Sequence, residues 1–197
     1  MSPTVSIPTS LLEAVARWAL PDTGERRHLS QIAFRASEMV ATDGVRIVRV
    51  PFGLAGLTCG LRRCDALAAV AAQDALLPRC TPRERRVIRI HRPSPGVLVL
   101  LPGLGTHPAM RVAEVADAFP SYDEVFTAIG AGARPATAPD GIAFNPEYLA
   151  AIQEVAEALE PNAGQRAVTV ARWGGLLDPT LFTGPAGSQF VIMPMTR

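Results

Sequence analysis

One pattern restricts the fold of this chain more than any other: an amphipathic helix followed by three short apolar runs, found three times in 197 residues. The first copy opens on Ser10-Leu-Leu-Glu13, a capping-box spacing in which a hydroxyl and a carboxylate each satisfy an orphan backbone donor at a helix start. Leu11, Leu12, Val15, Trp18 and Ala19 follow on one helical face, and Pro21 ends the helix. The runs 28–34, 38–42 and 45–51 then read as strands, with Asp43-Gly44 as a tight turn. In the second copy a helix is expected over 64–77, with Ala66, Leu67, Val70, Ala71 and Leu77 on its apolar face and Pro78 beyond it. Strands are expected over 86–91, 97–101 and 110–115. The third copy starts on Asn145-Pro146-Glu147, which supplies an N-cap, a proline at the first helical position and an acid in the first turn. Tyr148, Leu149, Ile152, Val155 and Leu159 form its stripe, Pro161 closes it, and strands are expected over 167–173, 179–182 and 189–194. The copies share pattern rather than residues. Helices alternating with short antiparallel strand triplets predict an α+β fold with the helices on one face of the sheets.

Between the second and third copies, residues 127–140 are rich in Ala, Gly and Pro, the composition of a linker. The domain boundary is placed there, giving a unit over 1–126, a linker over 127–140 and a smaller unit over 141–197. Apolar residues make up 48% of the chain, enough for a sizeable core. The longest apolar runs fall well short of the ~18 residues of a membrane span, and residues 1–9 lack a basic segment followed by an apolar one. With three cysteines, an odd set that fits a reducing compartment, these features give an expectation of a cytoplasmic protein.

Charge excludes more than it identifies. All 19 basic residues are Arg, so every chemistry needing a primary amine side chain is removed, including a phosphate-loop lysine and a Schiff base. Balanced against 18 carboxylates, the net charge of +1 points to no partner. Arg79, Arg83, Arg85, Arg86, Arg89 and Arg92 form a basic run on loop and strand, whose ordinary role is to guard a sheet edge. Cys59, Cys64, Cys80 and His91 do not have a compact zinc spacing, so no metal is expected, and free thiols tend to be buried. His28, His91 and His107 lack a nucleophile elbow, and Gly103-Leu-Gly105 lacks a third glycine and a following helix, so it reads as a hairpin. No catalytic residue, no enzymatic activity and no cofactor are expected.

Four short sequences, in order, resemble the bacterial DNA polymerase sliding clamp, the β subunit that gives the replicative polymerase its processivity. Val40-Ala-Thr-Asp-Gly-Val-Arg-Ile47 looks like the clamp's strand-turn-strand, and Phe119-Pro-Ser-Tyr-Asp-Glu-Val125 looks like its crossing from middle to last domain. Ile142-Ala-Phe-Asn-Pro-Glu-Tyr-Leu149 is similar to the start of its last helix, and Phe190-Val-Ile-Met-Pro-Met195 to its C-terminus. By that template 1–126 resembles the complete middle domain and 141–197 the second half of the last domain: one and a half clamp domains.

The resemblance implies a non-enzymatic replication or repair accessory with a pocket for short peptide motifs of polymerases and repair proteins. Its walls would be Thr42, Gly44, Arg46 and Ile47, then Asn145 and Tyr148, then Val191, Met193, Pro194 and Met195. An apolar trough with a soft methionine pair suits varied Leu and Phe side chains, while Arg46 and Asn145 suit peptide carbonyls. The family commonly has His where Val45 stands and Arg where Thr196 stands. In the family the helices line a hole around double-stranded DNA, which here would leave Arg17, Arg62 and Arg63 as phosphate contacts. Against them stand Glu13, Asp65, Asp74, Glu147, Glu154, Glu157 and Glu160 on the same three helices. Rings of the family hold twelve half-domains, so a ring of this chain implies a homo-oligomer of four. Two functions therefore stand side by side: a clamp that encircles DNA, and a clamp-derived peptide-binding adaptor or decoy that does not.

Overall fold

The computed structural model describes residues 4–22, 26–35, 37–54, 56–77, 86–102, 109–115, 118–131, 141–164, 166–174 and 178–195. The first copy comprises α1 (Thr9–Ala16), then β2 (Gln31–Arg35), β3 (Glu38–Thr42) and β4 (Arg46–Pro51). The second comprises α2 (Arg63–Leu76), then β6 (Val87–Ser94), β7 (Val97–Pro102) and β8 (Met110–Ala113). After α3 (Asp123–Ala131) the third comprises α4 (Pro146–Leu159), then β9 (Thr169–Arg172), β10 (Thr180–Thr183) and β11 (Gln189–Ile192).

Two further strands precede helices: β1 (Thr4–Pro8) runs into α1, and β5 (Cys59–Arg62) runs into α2. Each crosses to the other copy. β1 pairs antiparallel with β6, completing the four-stranded sheet β1-β6-β7-β8, and β5 pairs antiparallel with β2. The second sheet has seven strands in the order β5-β2-β3-β4-β11-β10-β9, because β4 pairs antiparallel with β11. One sheet thus runs across the position where the composition places the domain boundary.

α1, α2 and α4 cover one side of the sheets, with α1 packed against both α2 and α4, while α3 packs on the other face of the seven-stranded sheet. Leu11, Leu12 and Val15 are at most 1% exposed, as the helical spacing requires; the helix ends at Ala16 and not near Pro21, and Trp18 and Ala19, equally buried, lie in the turn that follows it. They meet Val48 and Val50 of β4 and Phe190 and Ile192 of β11 in one continuous core. The rings of Trp18 and Phe190 lie 5.6 Å apart, joining the first and third copies.

Several sequence expectations need correction. The helix begins one residue before Ser10, with Pro8 at its cap and no side-chain cap bond, so Ser10 and Glu13 do not form a capping box. Glu13 instead bonds Arg17 one turn on, at 2.7 Å. Residues 127–131 belong to α3, whose first turn carries Asp123 and Glu124, and so are not linker; 132–140 lie outside the described residues. The segment 27–29 is a short 3-10 turn leading into β2. Leu149 is 42% exposed and Ala71 is exposed, so neither lies in the buried stripe assigned to its helix. Arg89 and Arg92 of β6 guard no edge, since β1 covers that strand; Arg86, just before it, meets Asp74, and Arg92 meets Glu114. Arg79, Arg83 and Arg85 lie outside the described residues.

Phe190→Ala removes a fully buried ring shared by two copies, and is expected to cost ~3–5 kcal/mol in urea unfolding.

Candidate functional site

The Thr42–Ile47 turn is built by its own side chains. The Thr42 hydroxyl donates to the Arg46 carbonyl at 2.7 Å and accepts from the Gly44 N–H at 3.0 Å. Asp43 Oδ1 accepts from the backbone N–H groups of Val45 and Arg46, as Asp commonly does in tight turns. Gly44 sits at φ +94°, a conformation open to glycine at little cost. Asp43 Oδ2 then takes the Arg46 Nε–H at 2.9 Å, and Arg46 Nη2 donates to the Arg17 carbonyl at 2.9 Å.

Held in this way, the Arg46 guanidinium lies between two aromatic faces, 4.9 Å from the Trp18 ring centre and 4.7 Å from that of Tyr148. Such stacking contributes ~0.5–2 kcal/mol per ring and, here, joins the turn after α1, β4 and α4. Asn145 is also committed, accepting from the Glu147 N–H at 2.9 Å as the cap of α4. The C-terminal segment continues beyond β11 along the same turn: the Met193 N–H donates to the Val45 carbonyl and the Met195 N–H to the Ala143 carbonyl.

The ten residues assigned from the sequence gather at this junction but divide between two faces of the sheet. Arg46, Tyr148 and Asn145 lie on the helix side. Ile47 and Val191, partners in the β4–β11 register, point to the opposite face, where with Leu181 they meet Val125, Phe126 and Ile129 of α3. Thr42 is buried and turned inward on its own bonds. What stays open is an apolar rim: Val45 at 45% and Met195 at 51% exposure, with Ile47, Met193 and Pro194 half-buried between them.

Sequence reasoning did not include α3 in this site. Its signal was the helical spacing of Val125, Phe126 and Ile129, hidden by the Gly- and Ala-rich segment that follows. Tyr122 anchors it. That ring is buried, contacts Phe119 and Phe126 edge-on at 5.9 and 6.3 Å, carries the Arg35 guanidinium 4.6 Å above it, and donates its hydroxyl to Glu38. Glu38 also holds Arg49, whose guanidinium lies over Phe126.

The candidate phosphate contacts are already engaged. Arg17 bonds Glu13 at 2.7 Å and Glu154 at 3.2 Å, and Arg62 meets Asp22 at 3.6 Å. Arg63 donates to the Ala19 carbonyl at 3.1 Å, and burial, with Arg46 and Arg17 nearby, draws it below the usual arginine range. Among the described residues no cluster of three metal-ligating side chains occurs. Cys59 is buried and its thiol is pushed up to about 12 by burial, with Glu114 adding to the rise, whereas Cys64 is exposed, contrary to the burial expected of free thiols. Cys80, His107 and 103–105 lie outside the described residues, and no described helix is long and apolar enough to cross a membrane.

No protein-family model matches the chain, and no curated protein matches it. Solved structures do. The chain is similar to the β sliding clamp of Caulobacter crescentus at 18% identity and a TM-score of 0.59, covering 98% of this chain and 65% of that one. It is similar to the DNA polymerase III β subunit of Pseudomonas aeruginosa at 15% identity and a TM-score of 0.61, covering 100% of this chain and 66% of that one. For the Thermotoga maritima β subunit the values are 15%, 0.58, 99% and 66%. The fold is therefore the sliding-clamp fold, α+β, and the chain spans 65–66% of the length of these clamps.

Burial, with the Glu38 carboxylate beside it, holds the Tyr122 hydroxyl above its ordinary pKa of 10. A raised folded-state value means that this stability is fully present below pH 10 and is lost as pH rises past it. Tyr122→Phe is expected to cost ~1–2 kcal/mol at neutral pH and to flatten the alkaline loss, both read by urea unfolding across pH.

Proposed function

We propose that the protein is a non-enzymatic, sliding-clamp-like accessory of DNA replication or repair that docks short peptide motifs of polymerases or repair proteins where β4 meets β11. The observation that carries this is the apolar rim of Val45, Ile47, Met193, Pro194 and Met195 beside a rigid Arg46 turn. Soft, polarisable methionine accommodates varied apolar side chains, and the turn holds its shape without a ligand, so little ordering opposes binding. The fold adds support, as does the C. crescentus clamp, which carries polyethylene glycol in a proposed beta-motif tethering region. In this reading 1–126 is a full clamp-like domain and 141–197 a half-domain, joined through the shared sheet.

A Gln-x-x-Leu-x-Phe peptide is expected to bind in the micromolar range by calorimetry. Met195→Ala, which removes an exposed side chain and so spares the fold, is expected to weaken binding roughly tenfold, about 1.4 kcal/mol. Absence of binding to the unmutated protein removes the docking site.

A second reading, an adaptor that does not encircle DNA, draws on the charge of the helices. Arg17 is neutralised by Glu13 and Glu154, and Glu147 and Glu157 add further negative charge. Double-stranded DNA held through phosphates must be released steeply by salt. For the clamp reading, an electrophoretic shift is expected at low salt and lost at moderate salt; for the adaptor reading, no shift at either.

A further inference from the structure

The first two copies of the repeat complete each other by one rule. The strand before each helix crosses over and pairs antiparallel with the first strand after the other helix: β1 with β6, and β5 with β2. The helices α1 and α2 then pack together and close the space between them.

The third copy has every part of this arrangement except its mate. β9, the first strand after α4, pairs with β10 on one side and, among the described residues, forms the sheet edge on the other. Residues 142–144, the stretch before α4, are in no strand pair among the described residues. Beside them α4 and β9 bound an open groove of about 440 Å³, whose apolar wall is Leu149, Ile152, Val168, Val170 and Phe182. Leu149 of α4, which lines this groove, is 42% exposed. A strand at the end of a sheet next to an apolar groove is a surface that favours strand addition.

We infer that a second copy of this chain completes the third half-domain: residues 142–144 of each copy pair with the β9 edge of the other, and the two α4 grooves close on one another across a two-fold axis. Such an isologous contact needs a patch complementary to itself. The groove carries Glu157 on α4 and Arg166 on the connection to β9, so a two-fold brings opposite signs within reach of each other. Arg166 is held in place by its bonds to the Glu160 and Pro161 carbonyls. The chain itself offers no mate between α3 and α4: residues 132–140 are nine, whereas each copy of the repeat requires a helix and three strands.

The inference stands on the internal repeat and not on peptide docking, which calorimetry reads separately. Light scattering of the full chain after gel filtration is expected to give an even multiple of 20.9 kDa. Leu149→Arg is expected to halve that mass while circular dichroism stays unchanged, and Gln153→Arg, at an exposed position in the same groove, to do the same without loss of packing. Hydrogen exchange at the backbone amides of Thr169–Arg172 is expected to be slow in the wild type and faster in both variants. A monomeric wild type, an odd multiple, or an assembly that Gln153→Arg leaves intact overturns the inference. So does protection of the β9 edge in a monomer, which would assign the groove to the chain's own residues.

Discussion

The antiparallel pairing of β4 with β11 is the interaction on which the remainder of this molecule depends. It joins two strands from distant parts of the chain into one sheet, and so sets how the third copy sits on the first. On the helix side the ladder brings Phe190 under Trp18 and Arg46 between Trp18 and Tyr148. On the other side it places Ile47 against Val191 and creates the apolar face that α3 covers. The exposed rim is what remains at the end of that ladder, where Met193 and Met195 continue past β11 along the turn.

Much of this was legible because the helices and triplet strands bury a periodic face. Glu38–Thr42 stands where the apolar run placed it, and Asn145-Pro146 caps α4 as its chemistry demands. The two crossing strands were not legible. β1 does alternate, with Val5 and Ile7 buried between exposed Thr4 and Ser6, but the run is too short to be separated from a leader to the helix. β5 carries Gly60, which strand propensity disfavours; the close approach of Val115 favours it, since a Cβ there would stand 3.0 Å from Val115 Cβ and 3.3 Å from its carbonyl oxygen. Only tertiary contact reveals that requirement.

The candidate site shows a similar division. Local chemistry predicted the Asp43-Gly44 turn, to which the structure adds the Thr42 hydroxyl, and the motifs brought the correct segments together. Which face each side chain occupies depends on strand register, and alternation along β4 sends Arg46 and Ile47 to opposite sides. Charge was equally hard to read as function from composition. Arg17, Arg62 and Arg63 count as cations in the sequence, yet each is engaged by a carboxylate or a carbonyl in the fold.

The same ladder has a consequence for how the chain is made. β4 is complete once residue 51 has been synthesised, but its partner ends at residue 192. Through most of synthesis, therefore, an apolar strand edge flanked by Val48 and Val50 lacks its neighbour, and closing so long a loop is slow. Until β11 is in place that edge is a template for any other extended strand, so the pairing that organises the finished fold is also the contact most open to a wrong partner while the chain folds.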